Sequence, residues 1–350
     1  MLTPEMRLGK SIYSDKALLL RQGTANLPRY INKLMEMDIG SVYIDDFLGD
    51  GIDVPDAISD ETRRHCKKEL RNTFGKIKQN GLLERTGLGE VVNSMIDEIV
   101  SQPNIVVSLQ DIGTSKDETL LHSVNTAVYG LVLGTRLGLS PISQRDLAQG
   151  LLLHDIGKIL LDQEILYKSD SLTAEEFDHI KQHTALGYDI LRQDLLLTEA
   201  TRRVALEHHE RMDGSGYNRK PGDELNALVR IAAIVDVYEA LTVNRCYRKS
   251  YTASKAADIL IKESAEKLDS DMVAQFFQCI AVYPNGSLVL LSNNRLAVVK
   301  EQSPGLLFRP VVRLVEHIDG QMKPGVEIDL ATTLNLTIIE DDPELLSVLI

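Results

Sequence analysis

Residues 150–159 read Gly-Leu-Leu-Leu-His-Asp-Ile-Gly-Lys-Ile, an apolar run that leads into an adjacent histidine and aspartate. The apolar part predicts a buried helix, where an unpaired carboxylate or ammonium group would be costly. The imidazole of His154 and the carboxylate of Asp155 could together bind two metal ions, because a carboxylate has two oxygens. Lys158 should lie on nearly the same helix face as Asp155 and could hold an anion there. An ion pair between Asp155 and Lys158 beside a core histidine is the alternative.

The composition is typical of a chain with several globular units. The chain has 350 residues, of which 43% are hydrophobic, enough to build well-packed cores. The formal net charge of -13 argues against binding to a nucleic-acid polymer, which requires a basic face. The three cysteines form no Cys-x-x-Cys pair, which indicates a reducing compartment. Because no signal peptide and no run of about 18 apolar residues is visible, we predict a cytoplasmic protein without membrane contact.

The N-terminal part of the chain divides into two predicted units. Residues 1–55 show short strand patterns around one helical segment, which predicts a small α+β domain with a regulatory role. Thr24 or Asn26 is the predicted cap of that helix. Residues 56–100 are predicted to be a helical linker with an apolar stripe. The stripe predicts a dimer seam, and packing on the next domain is the alternative.

The rest of the chain makes the protein mainly α, with a strand-rich end. Residues 101–275 are predicted to form a helical output domain, and they hold six of the eight histidines. Residues 276–350 alternate strand patterns with turns, which predicts a small antiparallel sheet or barrel. The strands of the N-terminal unit could pair with it.

Histidines and carboxylates recur in apolar, helical surroundings, so a helical bundle would direct them inward. One of the aspartates ends an Ile-Ala-Ala-Ile-Val-Asp run, where burial would require a cation. Imidazole and carboxylate ligands suit iron, manganese or zinc, and the absence of thiolates argues against a structural zinc site. Phosphodiester hydrolysis uses two or three neighbouring metals, which activate water and neutralise the phosphate. The candidate ligands are Glu118, His122, His154, Asp155, His183, His208, His209 and Asp236.

Several of these candidates also have a purely structural interpretation. Glu118 could be an acid on a helix surface. His122 and His183 could be core histidines that donate to backbone carbonyls. Adjacent His208 and His209 are harder to explain by packing alone, because neighbours on a helix diverge by about 100°.

Three motifs carry a resemblance to a known family. They are His154-Asp-Ile-Gly-Lys158, the stretch 208–217 (His-His-Glu-Arg-Met-Asp-Gly-Ser-Gly-Tyr), and the segment 230–248, which begins Arg-Ile-Ala-Ala-Ile-Val-Asp and ends Arg-Cys-Tyr-Arg. In this order they resemble the HD-GYP family of cyclic di-GMP phosphodiesterases, part of the HD phosphohydrolase superfamily. The resemblance covers about residues 105–275 and implies an HD-type helical bundle.

The resemblance implies a role for each matching residue. Asp155 would bridge two metals, and Lys158 would contact phosphate or the catalytic water. Glu118 matches the acid that accompanies a trinuclear centre. The other implied metal ligands are His122, His154, His183, His208, His209 and Asp236. The implied substrate contacts are Lys158, Asp213, Gly216, Tyr217, Arg245 and Arg248, with Tyr217 lining the guanine pocket.

The sequence departs from the family pattern at two positions. The Gly-Tyr-Pro signature reads Gly216-Tyr217-Asn218. Losing the proline frees the backbone and restores an amide donor, which predicts a more mobile loop. Cys246 replaces the usual proline between Arg245 and the next tyrosine, and it is expected to be incidental.

The predicted function is hydrolysis of cyclic di-GMP by attack of a metal-bridged hydroxide on phosphorus. The product would be linear pGpG, and a second cut would give GMP. Two or three divalent ions are the expected cofactors, with iron first and manganese as the alternative. Two other functions stay open: a cyclic di-GMP sensor with little turnover, and an HD hydrolase of another cyclic dinucleotide. Expected partners are a diguanylate cyclase or other signalling proteins, and a second copy of the chain in a homodimer.

Overall fold

The computed structural model describes residues 4–342 apart from 5, 14–16, 38, 40–41, 55, 82, 84–86, 103–104, 108–117, 169, 244–249, 304 and 319–320, and apart from the side chain of residue 118. The described helices are α1 (Ile31–Glu36), α2 (Asp60–Asn80), α3 (Leu88–Val100), α4 (Glu118–Arg136), α5 (Pro141–Leu153), α6 (Gln163–Leu166), α7 (Ala174–Lys181), α8 (His183–Leu191), α9 (Glu199–Glu207), α10 (Ala227–Thr242), α11 (Ala253–Glu263) and α12 (Ser270–Phe276). The described strands are β1 (Arg7–Leu8), β2 (Ile12–Tyr13), β3 (Leu18–Leu20), β4 (Ile44–Asp45), β5 (Leu288–Leu291), β6 (Leu296–Glu301), β7 (Val311–Ile318), β8 (Gln321–Asp329) and β9 (Ile338–Glu340).

The centre of the molecule is a bundle in which α4 packs against α5 and α10, and α5 packs against α9. Helix α10 is apolar on nearly all sides and is buried along most of its length, as expected for a helix surrounded by others. Its start is set by Asn226, whose side chain accepts a hydrogen bond from the Val229 amide. Helix α5 begins with the Ser140 cap followed by Pro141, a pairing that favours a helix start. The predicted helical bundle is confirmed.

Helices α2 and α3 pack on the bundle of their own chain. Ser59 caps α2 as its side chain accepts from the Thr62 amide. The apolar stripe that predicted a dimer seam is buried within the same core, as Leu70, Ile77 and Met95 show. The structure thus has the alternative arrangement, packing on the next domain, and the stripe no longer supports a dimer seam.

The N-terminal strands form their own small sheets. Strand β1 pairs with β4 and β2 pairs with β3, both antiparallel, around a separate cluster that includes Leu8 and Leu27. Among the described residues these strands do not pair with the C-terminal strands, which the sequence had left open. Asn26 occupies the predicted cap position, before the 3-10 helix Leu27–Tyr30, but it has a φ of 54° and makes no side-chain capping hydrogen bond.

The C-terminal strands form one antiparallel sheet in the order β8-β7-β6-β5-β9. Its inner face continues the main core, whereas Leu48 packs on its outer face. Arg313 on β7 holds the segment that contains Leu48 against the sheet. Its guanidinium group donates to the carbonyl oxygens of Leu48 and Asp50, at 3.3 and 2.7 Å. The sheet confirms the strand-rich C-terminal segment.

Among the described residues, no helix combines the length and the apolar character that crossing a bilayer demands.

The chain turns sharply after α5, and Gly157 allows this turn to touch the start of α8. A Cβ atom at Gly157 would lie 2.0 Å from the His183 carbonyl oxygen and 2.6 Å from the Gly187 amide nitrogen. These neighbours are backbone atoms and cannot rotate away. Only glycine therefore lets the segment after His154 lie directly on α8. This contact brings the turn that follows α5 close to His183 at the start of α8.

We expect the substitution Gly157→Ala to lower the free energy of unfolding by about 1–3 kcal/mol, because the methyl group forces the turn and α8 apart. Urea unfolding of the purified protein measures the change. Gly75→Ala is the matched control, since Gly75 lies in α2 with no atom near its missing Cβ, and alanine there should stabilise by up to about 1 kcal/mol. An unchanged stability of the Gly157 variant would contradict this account of the turn.

Candidate metal centre

Five segments of the bundle bring the predicted imidazole and aspartate ligands together. His122 lies on α4, His183 is the first residue of α8, and Asp236 lies on α10. The other four follow helix ends: His154 and Asp155 come directly after α5, and His208 and His209 directly after α9. All of them are buried except His209, which is partly exposed. The arrangement collects side chains that are far apart in sequence.

The local structure of these segments differs from the continuous α-helices that the sequence predicts. Helix α5 ends at Leu153, and a 3-10 helix over Ile156–Leu160 follows. Lys158 still lies on the same side as Asp155, as predicted, because residues three apart eclipse in a 3-10 helix, and Lys158 Nζ is 2.6 Å from Asp155 Oδ2. The adjacent His208 and His209 lie in a turn rather than within a helix.

The imidazoles and aspartates form two groups that share one carboxylate. The first group is His122, His154 and Asp236, and the second group is His183, His208 and His209; within each, one donor atom per residue lies within 4.8 Å of the others. Asp155 lies between the groups. Its Oδ2 is 3.5 Å from His154 Nε2 and 3.6 Å from His122 Nε2, and its Oδ1 is 3.4 Å from His183 Nε2. A carboxylate in this position could bridge two metal ions, if each group held one.

The imidazole nitrogens face each other in a way that favours a bound cation. His154 Nδ1 lies 2.6 Å from the Leu151 carbonyl oxygen, and His183 Nδ1 lies 2.7 Å from that of Ile180. Each Nδ1 must carry the proton to donate there, so each Nε2 presents a lone pair. Yet His154 Nε2 is 3.0 Å from His122 Nε2, and His183 Nε2 is 3.3 Å from His208 Nε2. Lone pairs at such separations repel unless a positive ion lies between them.

The carboxylate of Asp155 gives an independent indication of the same chemistry. Its Oδ1 is buried and makes no hydrogen bond to the described residues. A buried charged oxygen without a partner is costly, and a divalent ion is the usual compensation for such an oxygen among imidazoles. The residues therefore fit a divalent-metal centre.

Burial keeps the imidazoles neutral and available as ligands. It lowers the pKa of His183 to about 4 and that of His209 to about 3, because the apolar surroundings oppose a positive charge. Burial also lowers the pKa of His154 and of His208. Burial is the largest single effect and would raise the pKa of Asp155, but the Lys158 ammonium group and the surrounding imidazoles together outweigh it and hold that pKa well below its usual range. At neutral pH the site consists of neutral donors and ionised carboxylates.

Glu239 is a functional candidate that the sequence did not reveal. Its carboxylate Oε2 contacts His122 Nδ1, and the side chain is buried. A carboxylate on the far nitrogen of a metal ligand fixes the tautomer and orientation of the ring. The sequence feature that could have identified Glu239 is its position, three residues after Asp236 on an otherwise apolar helix.

The mouth of the site carries aromatic side chains and a lysine. The ring of Tyr217 lies 4.4 Å from the ring of His209, at an interplanar angle of 35°. Phe177 packs edge-on against Tyr217, and Lys181 Nζ lies 4.7 Å above the Phe177 ring. Neither Phe177 nor Lys181 belongs to a recognisable motif. The mouth can therefore offer flat apolar surfaces and positive charge beside the second group.

The loop that carries Tyr217 is anchored by a buried acid. Glu210 accepts from the backbone amides of Asn218 and Lys220, at 2.7 and 2.8 Å. The amide that Asn218 restores is thus in use, which contradicts the prediction of a more mobile loop. Gly216 allows the contact, because a Cβ there would lie 2.4 Å from the Cα of Glu210.

The remaining predicted site residues divide between the surface and the parts of the chain that are not described. Asp213 is exposed and accepts from the Ser215 amide within its own loop. Arg245 and Arg248 lie outside the described residues. Glu118 begins α4, but its side chain lies outside the described part.

The fold and the site together define a helical domain with a histidine–aspartate centre for divalent metal ions. The family model of the HD domain matches residues 95–272, about half of the chain. The cyclic di-GMP phosphodiesterase PA4108 of Pseudomonas aeruginosa is 31% identical over 253 residues, which cover 71% of this chain and 60% of that protein. The chain belongs to the HD domain family, and within it to the HD-GYP group.

Two further relatives carry related names. The cyclic di-GMP phosphodiesterase response regulator RpfG of Xanthomonas campestris is 32% identical over 217 residues, 60% of this chain and 56% of that protein. The 3'3'-cGAMP-specific phosphodiesterase 2 of Vibrio cholerae is 30% identical over 187 residues, 53% of this chain and 36% of that protein. The matches span less than two thirds of the length of each of these three relatives.

Replacing Glu239 should weaken metal binding without removing a ligand. We expect Glu239→Gln to reduce the affinity for Mn²⁺ by about 10- to 100-fold, because the amide orients the His122 ring less strongly. Competition with a chromophoric chelator measures the affinity. Glu207→Gln is the matched control, since Glu207 is also buried but pairs with Arg203 and Lys220 instead. Equal effects of the two substitutions would contradict the role assigned to Glu239.

The metal-free protein should lose stability in mild acid. The unfolded chain takes up protons on these histidines near the ordinary pKa of 6.5, whereas folded His183 and His209 do so only near about 4 and about 3. The stability that comes from keeping these imidazoles neutral in the folded protein is thus fully present above pH 6.5 and is lost as the pH falls. We expect these two imidazoles alone to lower the free energy of unfolding by about 2–4 kcal/mol between about pH 7 and about pH 5, and buried His154 and His208, whose pKa values are also lowered, should add to the drop. Urea unfolding in EDTA measures it, and His183→Gln should reduce the pH dependence without abolishing it, because it removes one of these buried imidazoles.

Proposed function

We propose that this chain is a metal-dependent phosphodiesterase that hydrolyses cyclic di-GMP to linear pGpG, which a second cut converts to GMP. The observation that carries the proposal is the position of the Asp155 carboxylate between two groups of donors, since paired metal positions are characteristic of phosphodiester hydrolysis. The names of the two cyclic di-GMP phosphodiesterases among the relatives support the substrate.

The donor set suits two divalent ions, and Glu118 would make a third position available. Imidazole and carboxylate donors without thiolates suit iron, manganese or zinc, and we propose iron, with manganese as the alternative. When bound, such ions activate water and neutralise negative charge on the phosphate. His122, His154 and Asp236 would hold one ion, and the second group would hold another.

The chain's own residues would bind and orient the substrate around this centre. Asp155 would keep the two metal positions adjacent. Lys158, whose side chain is one-fifth exposed, reaches from the solvent side and would stabilise the phosphate charge that develops during attack. Tyr217 at the mouth would stack on a guanine base. The oxygen of a water molecule would form a new P–O bond as the bond between phosphorus and the 3' oxygen breaks, and the leaving 3' oxygen would take its proton from water or a nearby acid.

Further residues and regions of the chain complete the proposal. Arg245 and Arg248 would bind substrate phosphate, and Asp213 and Gly216 would shape the loop beside it. We assign residues 1–55 to regulation and residues 101–275 to the catalytic domain. The protein would act in the cytoplasm, as a homodimer, with a diguanylate cyclase or another signalling protein as partner.

A second substrate has a specific observation in its favour. One relative is named as specific for 3'3'-cGAMP, so the mixed cyclic dinucleotide is a second candidate. An aromatic ring such as Tyr217 stacks on either purine, because every base has an apolar face.

A sensor that binds cyclic di-GMP without turnover would fit the altered Gly-Tyr-Asn loop.

We expect metal-loaded wild-type protein to hold two or three ions per chain and to convert cyclic di-GMP to pGpG or GMP. His154→Ala with Asp155→Ala should abolish both metal loading and turnover, because it removes a ligand of the first group and the shared carboxylate. Metal analysis and chromatography of the products, with iron or manganese supplied anaerobically, measure the two properties.

The same experiment distinguishes the alternatives. Faster turnover of 3'3'-cGAMP would move the substrate assignment to the mixed dinucleotide, and tight binding without product would favour the sensor. Retained turnover in the double variant would reject the site. His317→Ala is the matched control, since this histidine lies on β7 of the C-terminal sheet, and its removal should leave both metal content and activity unchanged.

A further inference from the structure

A row of buried polar side chains connects the linker helix α2 to a candidate metal ligand. Arg63 on α2 donates from one terminal nitrogen to Asn125 Oδ1, at 3.2 Å. Asn125 Nδ2 in turn donates to Glu239 Oε1, at 3.4 Å. The other oxygen of Glu239 contacts His122 Nδ1. We name these four side chains, Arg63, Asn125, Glu239 and His122, the relay.

The chemistry of each member fixes the direction of its hydrogen bonds. A guanidinium group can only donate and an ionised carboxylate can only accept, so the amide of Asn125 must turn its oxygen toward Arg63 and its nitrogen toward Glu239. The hydrogen bonds therefore support one arrangement of the amide. A change at Arg63 removes one of the two groups that set this orientation and leaves the amide held only by Glu239.

The members of the relay are almost completely buried, so a change in one of them should affect the next. Arg63 is 5% exposed, Asn125 is 0% exposed, and Glu239 is 1% exposed. Water cannot readily replace a lost partner at these positions, and in such surroundings hydrogen-bonded groups are strongly coupled. Glu239 accepts from the amide as well as contacting His122, so the amide affects how firmly the carboxylate holds the imidazole.

The outer end of the relay reaches the linker and the N-terminal region. The second terminal nitrogen of Arg63 donates to Asp56 Oδ1 at 2.7 Å. Asp56 Oδ2 lies 3.4 Å from Lys10 Nζ, and the same ammonium group lies 3.2 Å from Asp60. Lys10 follows strand β1 of the small N-terminal sheets. A shift of these segments against α2 would change the contacts of the buried guanidinium group.

We infer that Arg63 is a positioning residue for the metal centre, which acts through Asn125 and Glu239 on the orientation of His122. The inference rests on the proposed metal centre, and it adds a route by which the N-terminal region and linker set its metal affinity. Arg63 touches neither metal nor substrate in this role. Its effect should consequently appear as a change in metal affinity that depends on Glu239.

The test uses the full chain, stripped of metal and titrated with Mn²⁺ against a chromophoric chelator. Wild type is measured first. We expect Arg63→Met to weaken Mn²⁺ binding by about 3- to 10-fold, within the range of coupling through intermediate residues. In a chain that already carries Glu239→Gln, the same substitution should change the affinity by less than about 2-fold, because the step it acts through has been altered.

The matched control is Arg64→Met. Arg64 is the next residue on α2, is exposed, and stacks on Tyr13 of the N-terminal region, with its guanidinium carbon 4.3 Å from the ring centre. It should leave Mn²⁺ affinity within about 2-fold of wild type. Thermal unfolding of each metal-free variant shows whether the fold is intact. If Arg63→Met does not fold, Arg63→Lys decides the question, since lysine retains the charge but cannot make both contacts.

The outcomes separate the inference from the proposed function. Failure of wild type to bind Mn²⁺ or iron would overturn both. If wild type binds and the folded Arg63 variant binds equally well, only the positioning role fails. An equal loss of affinity with and without Glu239→Gln would also overturn it, because the effect of Arg63 would then not pass through the relay.

Discussion

The buried carboxylate of Asp155 is the constraint on which the site depends. It lies among imidazoles whose lone pairs converge, with one oxygen paired to Lys158 and the other without a hydrogen bond to the described residues. Such a cluster is unfavourable on its own, because it combines charge burial with repulsion between lone pairs. The surrounding fold must therefore hold it together, and a divalent cation would turn the same repulsive arrangement into ligands.

The bundle holds the cluster together by placing several of the donor residues at the ends of helices. His154 and Asp155 follow α5, while His208 and His209 follow α9, so two consecutive residues can both reach the centre where a helix would point them apart. Close backbone contact at Gly157 then places this turn against α8 and His183. The positions of most donors thus follow from how three helices end or begin, supported by the apolar helices α4 and α10.

The protein carries net negative charge, yet its local charges suit an anionic substrate. Lys158 reaches the centre and Lys181 lies beside the aromatic mouth. The anchored loop of Glu210 and Asn218 keeps Tyr217 against His209. Behind the site, the relay joins His122 to α2, so the same helix that packs on the bundle contacts the surroundings of a metal ligand. Net charge alone would not have revealed either arrangement.

The sequence by itself determined the helical bundle, the strand-rich end and the HD-type motifs, because hydrophobic periodicity and adjacent His-Asp and His-His pairs are local features. Local patterns could not show that the stripe on α2 and α3 faces its own bundle, since an apolar face looks the same whichever partner covers it. Nor could they show that Glu239, Asn125 and Arg63 connect, or that the Asn218 amide anchors its loop. Those hydrogen bonds join residues separated by 8 to 114 positions. Only tertiary packing decides such contacts, because it alone sets which buried polar groups become neighbours.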